Sequence, residues 1–416
     1  MTQAYFNSLA QNPLPASAPP EALDSFDLRT SVMAKPSLVE SHERTALMRR
    51  GVVASKSAPA AENDSVLKID AASECERIER AIRDAVRTKL RRRGVVLGVS
   101  GGIDSSVSVV LAARALGRDR VTAILMPERE SSPASLELGR AACQVAGVTP
   151  EVVDITPMLE AFGCYRRRDV AIARVLPAFR PGDRFKITIA NDVAESDRVN
   201  HFHVVASLSA RAGATAVARL PVDVYLEVVA ATNLKQRVRK TVEYTAADAL
   251  NRAVLGTPNV LEHELGFFVR GGDGLADLKP IAHLYKSQVF ALGRHLGLPA
   301  SITGQIPTTD TYSLPQSQQE FYFGLPYATL DIILWCSMHQ VSTTRAGELA
   351  SMTPEAVERV YRDIELKRRA ASRLDGPALM CSSVDSPEFS PVLSPTLSQV
   401  VEEEATVRRS AKEINP

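Results

Sequence analysis

Val95-Val96-Leu97-Gly98-Val99-Ser100-Gly101-Gly102-Ile103-Asp104-Ser105-Ser106 decides the fold. Its first five residues form a short apolar run suited to a strand buried on both faces of a parallel sheet. Helical spacing of apolar residues then runs from Ser105 to about Leu116. Strand, glycine loop and helix in that order make an anion site. Glycines let the backbone approach a phosphate, successive N–H groups point inward, and a helix N-terminus favours negative charge. Ser100, Gly101, Gly102, Ser105 and Ser106 are the candidate phosphate contacts, the serines adding hydroxyl donors. The loop has no G-K-[ST], so it is not a Walker A motif and brings no lysine of its own. Asp104 is the informative residue: a carboxylate beside phosphates is unfavourable unless a divalent cation bridges them. The loop therefore predicts Mg²⁺ with a polyphosphate.

Working outward, Val121–Met126 and Glu151–Ile155 read as further strands and Ala134–Ala146 as a helix between them. Strands alternating with helices of this length predict an α/β fold, a parallel sheet with helices on both faces. Upstream, Ser73 to Glu76 fits a capping box, and apolar residues at helical spacing run from Ile78 to Leu90. Arg91, Arg92 and Arg93 fall in the expected last turn before Gly94, as dipole-compatible surface charge. From about 163 to 231 the rhythm breaks. Phe185–Ile189, His203–Ala206 and Ala216–Leu220 look like short strands of a small β-rich insertion, which also holds the basic stretch Cys164 to Asp169. Helical pattern resumes at Asn233, and Asn251–Leu255 reads as another core strand. Further helices are expected over Tyr285–Leu296, Pro326–Cys336 and Pro354–Ala371. Residues 1–70 are rich in Pro, Ala and Ser and read as a flexible arm, and 375–416 as a loose tail. The domain proper is expected over 71–374.

The 416 residues carry a formal net charge of +1, which gives no electrostatic reason to expect nucleic acid or an acidic membrane as partner. Cys75, Cys143, Cys164, Cys336 and Cys381 are scattered, which argues for a reducing compartment and against a disulfide framework or a structural zinc site. No apolar run approaches the roughly 20 residues needed to span a bilayer, and the N-terminus has no signal-peptide pattern. A cytoplasmic location is expected.

Ser100 to Ser105 resembles the pyrophosphate loop of the N-type ATP pyrophosphatases, which split ATP between its α and β phosphates. Several later stretches are similar to segments of NAD synthetase and occur in that family's order. They are Asn233-Leu234-Lys235-Gln236-Arg237, Gly256-Thr257-Pro258-Asn259-Val260-Leu261-Glu262, Gly272-Asp273-Gly274-Leu275-Ala276-Asp277, Leu284-Tyr285-Lys286, Pro307-Thr308-Thr309-Asp310 and Leu325-Pro326-Tyr327 with Leu330-Asp331. Five or more matches in order are hard to produce by chance. The resemblance implies an adenine nucleotide alpha-hydrolase-like fold. It implies catalysis through Asp104, Glu262 and Lys286, with Asp104 and Glu262 as the metal carboxylates. ATP contacts would come from the loop together with Thr257, Lys286 and Thr308. Deamido-NAD would lie against Asn233, Arg237, Arg270, Asp273 and Asp277. ATP is then a substrate and Mg²⁺ a cofactor, and the expected assembly is a homodimer. The arm is too short and polar to be the glutaminase domain fused to some of these enzymes, so ammonia, free or from a separate amidotransferase, is the expected nitrogen source. Pro127-Glu128-Arg129-Glu130-Ser131-Ser132-Pro133 resembles the P-x-R-x-S-S segment of glutamine-dependent NAD synthetases and GMP synthetases, which makes a nucleotide contact one reading and a plain loop the competing one.

The sequence departs from the family pattern at Gly271, where many members have Tyr, and at Arg270, where Lys is usual. Arg and Lys are not equivalent at a phosphate. The insertion is longer than the minimal enzyme carries. Two other readings stay open at this point: a related ligase adenylating a different carboxylate, and a non-catalytic nucleotide-binding protein.

Overall fold

The computed structural model describes residues 66–189, 201–209, 214–305, 307, 311–316 and 322–376. The chain divides into Met1–Asp375 and Gly376–Pro416, and all described residues but Gly376 belong to the first unit. The expected arm up to residue 65, the tail beyond Gly376, Cys381 and Thr308 lie outside the described residues.

Helix α1 is Ala71–Asp84, continued by one π turn over Ala85–Lys89. Its N-cap is Asp70, whose carboxylate accepts from the amides of Ala72 and Ser73 and from the Ser73 hydroxyl. This corrects the expected cap at Ser73. A carboxylate three positions earlier is the better acceptor for the first free amides and also suits the helix dipole. The arginine run is corrected too. The helical geometry stops at Leu90, and Arg91 turns left-handed with φ +51°, so Arg91 to Arg93 form the connection into the sheet.

The remaining elements follow in order: β1 Val95–Gly98, α2 Ile103–Leu116, β2 Val121–Leu125, α3 Pro133–Ala146, β3 Glu151–Val152, α4 Thr156–Ala161 and α5 Cys164–Val175. Then come β4 Arg184–Ile189, β5 Phe202–Leu208, β6 Ala214–Arg219, α6 Val222–Leu250, β7 Ala253–Val254 and α7 Val260–Leu265. The last described elements are α8 Lys286–His295, α9 Ala300–Thr303, α10 Tyr327–Met338, α11 Thr343–Ala350 and α12 Pro354–Asp375. No described helix is long and apolar enough to cross a membrane.

The main sheet is parallel, in the order β3-β2-β1-β7, with Val95 opposite Val121 and Ala253. Alternate residues along each strand serve different cores. Val95, Leu97, Ala123, Leu125 and Ala253 pack with α1, α2, α3 and α8, while Val96, Ile124 and Val254 pack with α4, α5 and α6. Both faces are therefore covered by helices, as expected. From β1 the chain crosses one way to β2 and later the other way to β7. The strand order thus reverses beside β1, and crevices for ligands open at the carboxyl ends of strands at such a point.

The insertion is an antiparallel sheet, β4-β5-β6, with Phe185, Ile187, Val204, Ala206 and Leu208 buried against Ala171 and Ile172 of α5 and Val224 and Val228 of α6. It is less purely β than its sequence suggests. The stretch Cys164 to Asp169 opens a helix, and α6 starts at Val222 instead of Asn233, running 29 residues without a break. Val222–Ala231 lacks a simple polar face because its outer turns serve the insertion core, which hides the helical period from a single-face reading. A fourth cluster packs α7, α10, α11 and α12 around Ile333, Leu334, Val357 and Ile364.

Candidate active site

Gly98 ends β1, and Ser100, Gly101 and Gly102 turn the chain into α2, with Gly102 as its N-cap. Gly101 is required here on two counts. Its φ is +85°, and a Cβ would stand 2.6 Å from the Ser135 carbonyl oxygen. Inside the loop the hydroxyls brace the backbone. Ser105 Oγ receives the Ser100 amide at 3.2 Å and donates to the Gly102 carbonyl at 3.1 Å. Ser106 is fully buried and donates to the same carbonyl at 2.8 Å. Ser100, Gly101, Gly102, Asp104 and Ser105 line a cavity of about 1300 Å³, whereas Ser106 does not.

Asp104, in the first turn of α2, holds the centre. One carboxylate oxygen receives Lys286 Nζ at 2.5 Å and the other receives Asn259 Nδ2 at 3.0 Å. Lys286 is 1 % exposed. Burial opposes its charge, but Asp104 and Glu262 outweigh that and hold its pKa above the ordinary lysine value. Asn259 caps α7 by accepting from the amides of Leu261 and Glu262, and Glu262 reaches back to the Asn259 amide at 3.1 Å. Asp104 and Glu262 are thereby placed on either side of one asparagine. Burial and the Asp104 charge push Glu262 up to about 7. That repulsion between two carboxylates is what a divalent cation relieves. Among the described residues no group of three or more His, Cys, Asp or Glu gathers as a metal cage. Two carboxylates suit Mg²⁺, which keeps waters and phosphate oxygens for its other positions.

The start of α8 is set by Asp331 of α10, buried, which accepts from the amides of Lys286 at 3.2 Å and Ser287 at 2.7 Å. This residue stood inside the Leu330-Asp331 match without a role. The capping pair Asn259…Glu262 was also readable, since Asn followed three residues later by Glu is a helix-start signature. Three buried ion pairs join the site. Lys240 pairs with Glu243 at 2.8 Å, one helical turn apart, and Lys235 pairs with Glu128 and Glu130, which no spacing rule makes readable. Burial pushes the carboxyls of Glu243 and Asp273 above the ordinary range.

The structure brings Asp104, Glu262, Lys286, Thr257, Asn233 and Asp273 to the same cavity. It does not bring Arg237, Arg270 or Asp277 to the lining. Arg237 is exposed and reaches the Arg270 carbonyl at 3.3 Å. Asp277 accepts from the Val254 amide at 2.7 Å, closing the free edge of β7. Within the basic stretch of the insertion, Arg168 is 2 % exposed and ion-paired with Glu130 and Asp169, while Arg166 and Arg167 are exposed. In the segment after β2, Arg129, Glu130, Ser131 and Ser132 line the cavity.

The sequence pattern of the NAD synthase family matches residues 74–175 and 169–371. The chain is 51 % identical over 315 residues to the NH₃-dependent NAD⁺ synthetase of Rhizobium meliloti (strain 1021), covering 76 % of this chain and 93 % of that protein. It is 47 % identical over 322 residues to the enzyme of the same name from Rhizobium rhizogenes (strain K84 / ATCC BAA-868), covering 77 % and 96 %. Among solved structures, NMN synthetase from Francisella tularensis shares the fold, with a TM-score of 0.51 at 21 % identity over 75 % of this chain and 99 % of that one. Strand order, phosphate loop and these matches together place the chain in the NAD synthase family.

Proposed function

We propose that the protein makes NAD from deamido-NAD, ATP and ammonia. The observation that carries this reading is the meeting of Asp104, Glu262 and Lys286 at the mouth of the glycine loop, in a chain sharing 51 % identity with an NH₃-dependent NAD⁺ synthetase. The nicotinate carboxylate attacks the α-phosphorus of ATP, the bond between the α and β phosphates breaks, and pyrophosphate departs. Ammonia then attacks the acyl carbon, AMP leaves, and nitrogen gives up a proton. Charge accumulates on the departing pyrophosphate, so catalysis here is electrostatic positioning and needs no covalent nucleophile. Lys286 supplies a buried positive charge at the loop, and the helix α2 N-terminus adds its dipole. Thr257, Asn233 and Asp273 line the same cavity and are placed to contact the substrates. Arg237, Arg270 and Asp277 are not placed to do so from this lining. Mg²⁺ held by Asp104 and Glu262 would neutralise phosphate charge when bound. A ligase for another carboxylate finds no support in relatives that are 45 to 51 % identical.

The experiment supplies ATP, Mg²⁺ and deamido-NAD to the purified protein with either ammonium or glutamine. NAD is expected with ammonium and at most about a hundredth of that rate with glutamine alone, since a missing reacting partner costs several factors of ten. Equal rates would overturn the ammonia-dependent reading. Ammonia in the cell would come free or from a separate amidotransferase. We place the protein in the cytoplasm as a homodimer. The exposed Val170, Val222 and Leu226 on α5 and α6 support a buried partner face, which light scattering would test.

Glu262 sets a pH dependence. Below 4.5 its carboxyl is protonated in native and unfolded chains alike, and as pH rises through about 7 the native state must carry a buried charge and loses stability. A bound dication opposes that loss, and protons compete with it. The apparent Mg²⁺ constant is therefore expected to rise roughly tenfold per pH unit on the acid side of this pKa. Initial rates titrated with Mg²⁺ at pH 6 and pH 8 read it directly. Equal constants at the two pH values would remove Glu262 from the metal site.

A further inference from the structure

Lys235 lies within α6, 1 % exposed, and all three of its ammonium hydrogens are used. They go to Glu128 Oε1 at 2.8 Å, Glu130 Oε2 at 2.8 Å and the Thr311 carbonyl at 3.0 Å. The two carboxylates stand in the loop after β2, which brings Arg129, Ser131 and Ser132 to the cavity. Thr311 opens the segment 311–316, which brings Tyr312, Pro315 and Gln316 to the same cavity. Neither stretch has a helix or strand of its own to hold it.

Both stretches are tied to the insertion as well. The Leu314 amide donates to the Phe185 carbonyl at 2.9 Å, the Phe185 amide to Ser313 Oγ at 2.9 Å, and Gln316 Nε2 to the Ile187 carbonyl. On the other side of the cluster, Arg168 of α5 donates to Glu130 at 2.7 Å and lies over the Phe185 ring. Tyr165 donates to Glu128 at 2.7 Å. Burial works against the Glu128 charge, but the Lys235 ammonium and the hydrogen bonds around it more than offset this and hold its carboxyl below the ordinary range. A buried ion network is poor evidence for stability, because a well-packed apolar replacement is often as stable. What this one provides is geometry: one ammonium links two stretches of the cavity wall, neither of which is a helix or strand, to each other.

We infer that Lys235 is a positioning residue, and that through it the insertion braces the loop 127–132 and the segment 311–316 as a preformed wall for ATP. This rests on the ATP-dependent reading above. Without the ammonium both stretches must be ordered when the nucleotide binds, which costs affinity.

The test uses the full chain with Glu128→Gln and Lys235→Met together. The pair removes one charge of each sign, and the glutamine keeps an acceptor for Tyr165. Glu130→Gln is the companion variant, evening two cations against three carboxylates in the cluster. In the double variant the KM for ATP is expected to rise about tenfold, while the KM for deamido-NAD stays within about twofold. Hydrogen exchange at the Tyr312, Ser313 and Leu314 amides, followed without substrates, should quicken at least about tenfold. Glu130→Gln should move both readouts the same way by less. A purely structural role would lower the melting temperature and leave the KM for ATP unmoved. Wild-type KM for ATP and wild-type exchange in either folded variant overturns the inference. If the wild-type protein makes no NAD, the ligase reading falls instead, and the exchange rates still decide what Lys235 holds.

Discussion

Lys286→Met is expected to lower kcat/KM for ATP by about 10² to 10³, the usual loss when a donor aimed at developing transition-state charge is removed. Lys286 is 1 % exposed, donates to Asp104 at 2.5 Å and lines the cavity beside the glycine loop. Burial reduces the screening of its charge by water, so its field acts more strongly than that of an exposed lysine. Methionine fills similar volume, so the loss reports charge more than packing. Removing one partner of a buried pair also costs about 3 to 5 kcal/mol of stability, so rates are to be read well below the melting temperature, with circular dichroism as the check on folding. Lys286→Arg should not restore the rate. A planar guanidinium cannot occupy the seat of a compact ammonium whose backbone amide is already fixed by Asp331. Pyrophosphate release measures all of this. A methionine variant within tenfold of wild type would remove Lys286 from the reaction.

Asp104→Asn is the second large effect, with an expected fall in kcat of about 10² or more, because the charge proposed to hold Mg²⁺ is lost while the shape is kept. The substitution has a second consequence that a general loss of structure does not share. Part of the upward push on Glu262 comes from the Asp104 charge. With that charge gone, Glu262 should titrate closer to the ordinary carboxylate range, and the pH dependence of the remaining Mg²⁺ response should move to lower pH. Mg²⁺ titrations of the variant at several pH values check both points together. An unchanged Mg²⁺ constant would mean that the cation is held elsewhere.

The parallel core was legible because its signals are local. Val95–Gly98 is a continuous apolar run, and the glycines after it announce the turn. The phosphate loop was legible for the same reason. The start of α6 was not, since Val224 and Val228 pack against a sheet whose first strand begins at Arg184, well upstream, and nothing local marks that face. The Asp70 cap was missed because Ser73 offered an equally good local signature, and only the fold decides which residue meets the free amides. At the site, Asp104, Glu262 and Lys286 could be picked by motif. Lys235, Glu128 and Arg168 could not be given a role, because ion pairs across 107 and 38 positions leave no spacing rule to read. Motif order also puts Arg237, Arg270 and Asp277 at the acceptor site, and in the single chain they lie outside the cavity lining.

The unbroken run of α6 constrains how this chain can vary. The helix carries Val228 in the insertion core, Lys235 in the ion cluster, Val238 and Val242 under the main sheet and Glu243 beside Gly98. Each residue in an α-helix advances the face by about 100°. Deleting or adding a single residue between Val228 and Glu243 would swing one group of these side chains out of register with the other. Tolerated changes in the insertion's length belong between the strands of its sheet and outside α6, which acts as a ruler whose divisions are fixed.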